Sequence, residues 1–157
     1  MGSMVSDGQR DRAVSMVARA EERGARVSTG GRKLNRPGAF LEPTVLSGVT
    51  PEMEIAQQEV FGPVLSVLSF RDDAQAIKIA NGTDYGLVAG VFTADLDRAT
   101  RAARHLRAGQ VFVNEWYAGG VETPFGGYGK SGYGREKGRE ALLNYVQTKN
   151  IAIRMKG

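Results

Sequence analysis

Residues Pro124–Gly138 read PFGGYGKSGYGREKG. Gly126, Gly127, Gly129, Gly132, Gly134 and Gly138 are packed among aromatics and charges. Glycine is used this densely where the backbone takes positive φ or comes close to another group. Such a run is a shaped loop, and shaped loops commonly carry function. Gly129-Lys130-Ser131 has the ending of a phosphate-binding P-loop. That pattern requires a glycine five residues before Gly129, where Pro124 stands. Gly127-Tyr128-Gly129-Lys130-Ser131-Gly132 matches G-x-G-x-x-G literally. No strand leads into it, and where its acidic partner belongs, about twenty positions on, the chain reads Asn150-Ile151-Ala152. A nucleophile elbow fails as well, because Tyr133 occupies its last glycine position.

Upstream of this run the pattern alternates. Val64–Phe70 (VLSVLSF) reads as a buried strand, and Asp72 caps a helix through Asn81 with Ile77 and Ala80 inward. Leu87–Phe92 reads as a second strand, Asp95–Arg107 as a helix closed by Gly109, and Gln110–Asn114 as a third strand. This order predicts an α/β fold: a three-layer, mostly parallel sheet with flanking helices. Ligands of such sheets gather beyond the carboxyl ends of the strands. Glu115–Val121 and then the glycine-rich run follow the third strand there.

Toward the N-terminus, Ser6 and Gln9 form a Ser-x-x-Gln capping box. The helix behind it runs to about Arg23, buries Ala13, Val14, Val17 and Ala18, and stops at Gly24. Ala25–Gly31 predicts a short strand. Phe40–Val45 predicts another, which Pro43 confines to an edge or irregular position. After the glycine run, a helix over 135–144 is expected, then a strand-like tail, Val146–Met155. In the tail Ile151, Ile153 and Met155 share one side with the polar Lys149 at its start. A terminal strand with one apolar face needs a partner at home or on another subunit. The expected organisation is residues 1–4 as a start or tag, 5–144 as the domain body, and 145–157 as an oligomerisation strand.

Composition excludes several classes. The chain has 157 residues, 41% hydrophobic and 24% charged, which are ordinary globular values. It holds no cysteine, so it has no disulfide, thiolate ligand or thiol nucleophile, and its single His105 builds no metal site. No apolar stretch spans a bilayer and no basic-then-apolar leader is present, so a cytoplasmic protein without membrane contact is expected. The net charge is +4, and Arg98, Arg101, Arg104 and Arg107 recur every three residues. No aromatic platform accompanies them, so a solvated helix face is expected rather than nucleic-acid binding.

The glycine run resembles the C-terminal signature of the aldehyde dehydrogenase superfamily: Pro-Phe-Gly-Gly, a lysine, Ser-Gly, then Gly-Arg-Glu-x-Gly. Gln58-Glu59-Val60-Phe61-Gly62-Pro63-Val64 is similar to the family's Glu-x-Phe-Gly-Pro-Val segment. Asn81-Gly82-Thr83-Asp84-Tyr85-Gly86-Leu87 is similar to its Asn-x-x-x-Tyr-Gly-Leu turn, and Gly109–Asn114 fits too. The matches follow family order and cover Val5–Met155, corresponding to about the C-terminal third of a family chain.

The resemblance implies an NAD- or NADP-dependent oxidation of an aldehyde to a carboxylic acid through a cysteine thiohemiacetal. The nucleophile, general base, oxyanion holder and Rossmann domain of that family lie before the matched region. The chain is therefore expected to be a fragment that is inactive alone, with no catalytic residue and no metal. The alternative is a free-standing, non-enzymatic interaction or oligomerisation module. By the same resemblance Glu59 binds the nicotinamide ribose hydroxyls, Phe61 lies beside the nicotinamide, and Gln9 and Arg12 fall near positions that touch the ribose. Glu59 and Phe61 otherwise read as a surface glutamate and a packing aromatic, and Gln9 as a cap. Phe125 matches an aromatic of the aldehyde tunnel. Trp116 and Tyr117 lie in the variable loop, with Glu115, Gly119, Gly120 and Val121, that shapes its entrance; both also read as loop-packing aromatics. An aromatic-rich pocket suits an apolar or aromatic aldehyde. Lys130, Ser131, Arg135 and Glu136 are expected to hold the loop and helix together.

Overall fold

The structure, a computed structural model, describes residues 1–155. The chain divides into two compact units, residues 1–83 and the part that begins at Asp84.

The first unit contains α1 (Asp7–Glu22), β1 (Arg26–Thr29), β2 (Thr44–Ser47), α2 (Glu54–Gln57), β3 (Val64–Ser66) and α3 (Asp73–Ala80). Ser6 caps α1, its hydroxyl accepting from the Gln9 N–H at 3.2 Å, which satisfies one orphan donor of the first turn. The buried stripe is Ala13, Met16, Val17 and Ala20, the i, i+3, i+4, i+7 pattern of a helix lying on a core. Val14 is only half-buried and the expected Ala18 is exposed. About a quarter turn of rotation separates the two faces, and Met16 lies on the buried one. Against this stripe pack Ala25, Leu41, Leu46, Val49, Met53, Ile55 and Val60. Met16 and Leu46 are the largest fully buried side chains, each contributing about 1.5–3 kcal/mol by burial. Ser3 and Met4 join this unit, since the Ala39 N–H donates to Ser3 Oγ at 3.0 Å and Met4 packs on the core.

The sheet order is β1-β2-β3, β1 antiparallel to β2 and β2 parallel to β3. Two expectations are corrected here. The strand expected over 40–45 begins after Pro43, at Thr44, and is central rather than an edge. Proline restricts only the strand it sits in, and Pro43 stays outside the ladder. The strand expected over 64–70 ends at Ser66 and pairs with β2. In α3, Asp72 accepts from the Gln75 N–H at 2.8 Å as expected, but Ile77 is half-buried and Ala80 exposed.

The second unit contains β4 (Val88–Val91), α4 (Leu96–His105) and β5 (Gln110–Val113). β4 and β5 are parallel with α4 as their crossover, so two of the three strand pairings are parallel and the class is α/β. Asp95 caps α4. The helix expected over 135–144 is a 3-10 helix at Arg139–Tyr145. Gly138, at φ 60°, delays its start. Residues 146–155 are exposed and belong to no strand of this chain; the last two residues of the expected oligomerisation strand, Lys156 and Gly157, lie outside the described residues. Among the described residues no helix is long and apolar enough to cross a membrane.

Candidate functional site

In the first unit, Glu59 and Phe61 lie on the segment between α2 and β3. Together with Ile55, Gln58, Val60, Gly62, Val64 and Ser66 they line an open pocket of about 590 Å³. Val60 is buried and anchors the segment. Its neighbours Glu59 and Phe61 face out, Phe61 with 72% of its surface exposed. Phe61 has φ 55°, a left-handed conformation that costs a bulky side chain about 1–3 kcal/mol and persists only where surrounding contacts impose it.

Those contacts come from Gln9 and Arg12, three positions apart on α1 and so on one face. Gln9 Nε2 donates to the Phe61 carbonyl at 2.9 Å. An Arg12 guanidinium N–H donates to the carbonyls of Glu59 at 3.3 Å and Val60 at 3.2 Å. Three consecutive carbonyls are thus held from one helix. Gln9 uses its backbone N–H for the cap and its side chain for this segment, so the reciprocal half of the capping box is not formed. All four cofactor-side candidates are brought together, Glu59 and Phe61 at the pocket and Gln9 and Arg12 behind their backbone.

In the second unit the glycine-rich run is fastened to its own neighbours. Tyr128 N–H donates to Gly86 O at 2.9 Å, Lys130 N–H to Asp84 O at 2.8 Å, and Gly86 N–H to Ser131 Oγ at 3.0 Å. Gly129 takes φ 57° where a side chain would strike Asp84 O. Arg135 donates to Gly127 O at 3.1 Å and Gly134 O at 2.6 Å. Amides occupied in this way form no phosphate cradle. The Lys130 ammonium pairs with Asp84 at 2.7 Å. The side-chain hydrogen bond to Asp84 raises the Lys130 pKa above its usual value, and the same bond lowers that of Asp84. Lys130 is therefore a fastening cation and not a nucleophile, which needs the opposite shift.

The aromatics group at the end of β5. Phe112 is buried; the Trp116 ring meets it edge-on at 6.1 Å and the Tyr117 ring lies tilted at 6.3 Å. Trp116 also lies over Gly90, where an added Cβ would come within 2.9 Å of its ring. Both rings nevertheless remain more than 60% exposed, at 62% and 63%. They pack on the sheet through one face and present the other. Phe125, Phe112, Tyr117, Gln110, Thr123 and Lys137 share a small cavity of about 10 Å³. Antiparallel bonds to Glu136, both 2.7 Å, fix the Phe125 backbone.

The sequence reading missed Asn114 and Lys137. Asn114, at φ 55°, ends β5 and exchanges two 2.8 Å bonds with the Thr93 backbone. Its signal was asparagine at a strand end, the residue that best tolerates the left-handed region. Lys137 is the variable position of Gly-Arg-Glu-x-Gly. Its ammonium lies 6.0 Å from the Tyr117 ring and 5.7 Å from the Phe125 ring; only the fold brings these groups together.

The aldehyde dehydrogenase family profile matches residues 1–151. The chain belongs to the aldehyde dehydrogenase family. Betaine aldehyde dehydrogenase of Sinorhizobium fredii is 45% identical over 158 aligned residues, covering 99% of this chain and 32% of the relative. An aldehyde dehydrogenase of Alternaria alternata is 46% identical, over 98% of this chain and 31% of the relative. The structure of Bacillus cereus aldehyde dehydrogenase in complex with NAD+ superposes with a TM-score of 0.93 at 39% identity, over 99% of this chain and 32% of that one. The chain thus spans about a third of the length of the aldehyde dehydrogenases it matches.

Proposed function

We propose that this chain is the C-terminal part of the catalytic domain of an NAD(P)-dependent aldehyde dehydrogenase, supplying part of the cofactor wall and part of the aldehyde wall of a three-layer α/β enzyme. The observation that carries this reading is the presentation of Glu59. Its exposed carboxylate stands on a segment whose carbonyls are held by Gln9 and Arg12, beside an exposed aromatic in an open pocket.

The donor set fits the nicotinamide-ribose end of the cofactor. Two carboxylate oxygens accept from two vicinal hydroxyls, and charge-assisted bonds of this kind contribute about 1.5–3 kcal/mol each. Phe61 offers an apolar face to the nicotinamide ring. Gln9 and Arg12 serve as ribose-side residues chiefly by fixing the backbone that aims Glu59. The bound cofactor supplies a hydride acceptor; this chain binds and orients it.

On the aldehyde side Phe125 is the wall, and Trp116 and Tyr117 form the entrance. Their presented faces suit an apolar or aromatic aldehyde. The cysteine nucleophile of the family is absent, so the chain alone is inactive. The tail exposes Ile151, Ile153 and Met155, which supports pairing with a second subunit; light scattering should show a larger assembly that becomes monomeric when residues 146–157 are deleted. The globular composition without disulfides supports a cytoplasmic setting.

Nicotinamide mononucleotide tests the reading. Titration followed by NMR should move the amides of Glu59–Gly62 and the Phe61 ring, and Glu59→Gln should weaken this response about tenfold, the loss of one charge-assisted bond. Shifts that ignore this substitution would refute it.

A further inference from the structure

We propose that Lys137 sets the charge class of the aldehyde, disfavouring cationic substrates and admitting neutral or carboxylate-bearing ones. The inference rests on the aldehyde-wall reading of Phe125, Trp116 and Tyr117 and deepens it.

The placement of Lys137 is built into the backbone. Its predecessor Glu136 exchanges two 2.7 Å bonds with Phe125, and Gly138 N–H donates to Val121 O at 2.8 Å. Between these clamps Lys137 takes φ 57°, an uncommon conformation for a lysine. The side chain is thereby directed to the small cavity it shares with Phe112, Tyr117 and Phe125. Its ammonium stands 5.7 Å from the Phe125 ring and 6.0 Å from the Tyr117 ring, within reach of the negative faces of both.

Two consequences follow from elementary electrostatics. Aromatic faces recognise a quaternary ammonium through their quadrupoles, and here two of them already attract a resident cation. A second cation arriving at the same rings meets like-charge repulsion from the ammonium, moderated by water because Lys137 is exposed. A carboxylate on the substrate meets the reverse. The betaine aldehyde named for some relatives carries a trimethylammonium group. Lys137 places that substrate outside the preferred class of this chain despite 45% identity to such a relative.

The test uses the intact chain and three inert alcohols as substrate analogues, because free aldehydes condense with lysines. Choline carries the trimethylammonium group, 3,3-dimethylbutan-1-ol is its neutral isostere, and 4-hydroxybutanoate carries a carboxylate. Binding is read by NMR at the Phe125 and Tyr117 rings and at the indole of Trp116, the single tryptophan of the chain. Choline should bind about threefold more weakly than its neutral isostere, the scale of one like charge at these distances in water, and 4-hydroxybutanoate more tightly than choline. Lys137→Met should bring choline and the isostere to parity, and Lys137→Arg should keep the original order. Equal binding of choline and the isostere to the unsubstituted chain, or a preference that Lys137→Met leaves unchanged, would overturn the Lys137 assignment alone. If none of the three alcohols moves these rings while the amide spectrum stays folded, the aldehyde-wall reading falls and this inference falls with it.

Discussion

The two units support their candidate residues in different ways. The first gathers eleven buried apolar residues from α1, α2, β2 and the connecting segments into one cluster. In the second, the buried hydrophobic residues among those described are Ala99 and Phe112, while Leu87, Phe92, Leu96 and Val113 are all exposed. A two-stranded sheet with so little buried apolar area is marginal in isolation. Glu59 and Phe61 therefore stand on a scaffold that holds itself, whereas Phe125, Trp116 and Tyr117 stand on one held by hydrogen bonds and by the contacts of a single buried ring. In the proposed reading a cofactor carboxylate must be aimed, and the Gln9 and Arg12 contacts of the first unit would aim Glu59. The entrance proposed at Trp116 and Tyr117 must be adaptable in shape, and both residues stand in a loop after β5.

The sharpest way to break this contrast is to empty the first core. Leu46→Ala should cost about 2–5 kcal/mol. In urea, the helical circular dichroism to which α1 contributes most should lose amplitude early, while the emission of Trp116, which reports only on the second unit, keeps its midpoint. A common shift of both signals would mean that the units unfold as one and that the difference in support is not energetic.

A smaller effect probes the second unit. Asp84 is held below the usual carboxylate range by its hydrogen bond to Lys130. A group with a depressed folded pKa contributes stability above its unfolded value and loses it as pH falls through the folded value. The fastening between Asp84 and the glycine run should therefore weaken below about pH 4, where a free aspartate protonates, and be unaffected by raising the pH toward neutrality. Both side chains are largely exposed, so the loss is small. The protection of the Tyr128–Gly132 amides, taken relative to intrinsic exchange at each pH, should fall on acidification in the unsubstituted chain and be low and pH-independent in Asp84→Asn. An acid response that survives this substitution would assign it elsewhere.

Local signals carried much of this fold. Ser6, Asp72 and the glycine stop at Gly24 declared α1 and α3 because capping acts within one turn. The crossover β4-α4-β5 was legible because its periodicities alternate cleanly. Sheet membership was not: VLSVLSF says strand but not partner, and β3 joins β2 through pairings that span some twenty residues. The Gln9 and Arg12 contacts to residues 59–61 lie about fifty positions away in sequence, beyond any local pattern. The candidate residues Glu59, Phe61 and Phe125 were legible as members of motifs; the strain at Phe61 fixed from α1, and Lys137 held between two backbone clamps, appear only once the chain is folded.

The central claim is that the chain carries walls of an aldehyde oxidation site without its reagent. The most direct measurement is NADH fluorescence on mixing the purified chain with NAD and neutral, acidic and cationic aldehydes in turn. The account requires no NADH above a protein-free control with any of them, because no thiol is present to attack the carbonyl. Turnover that rises with protein concentration would contradict it.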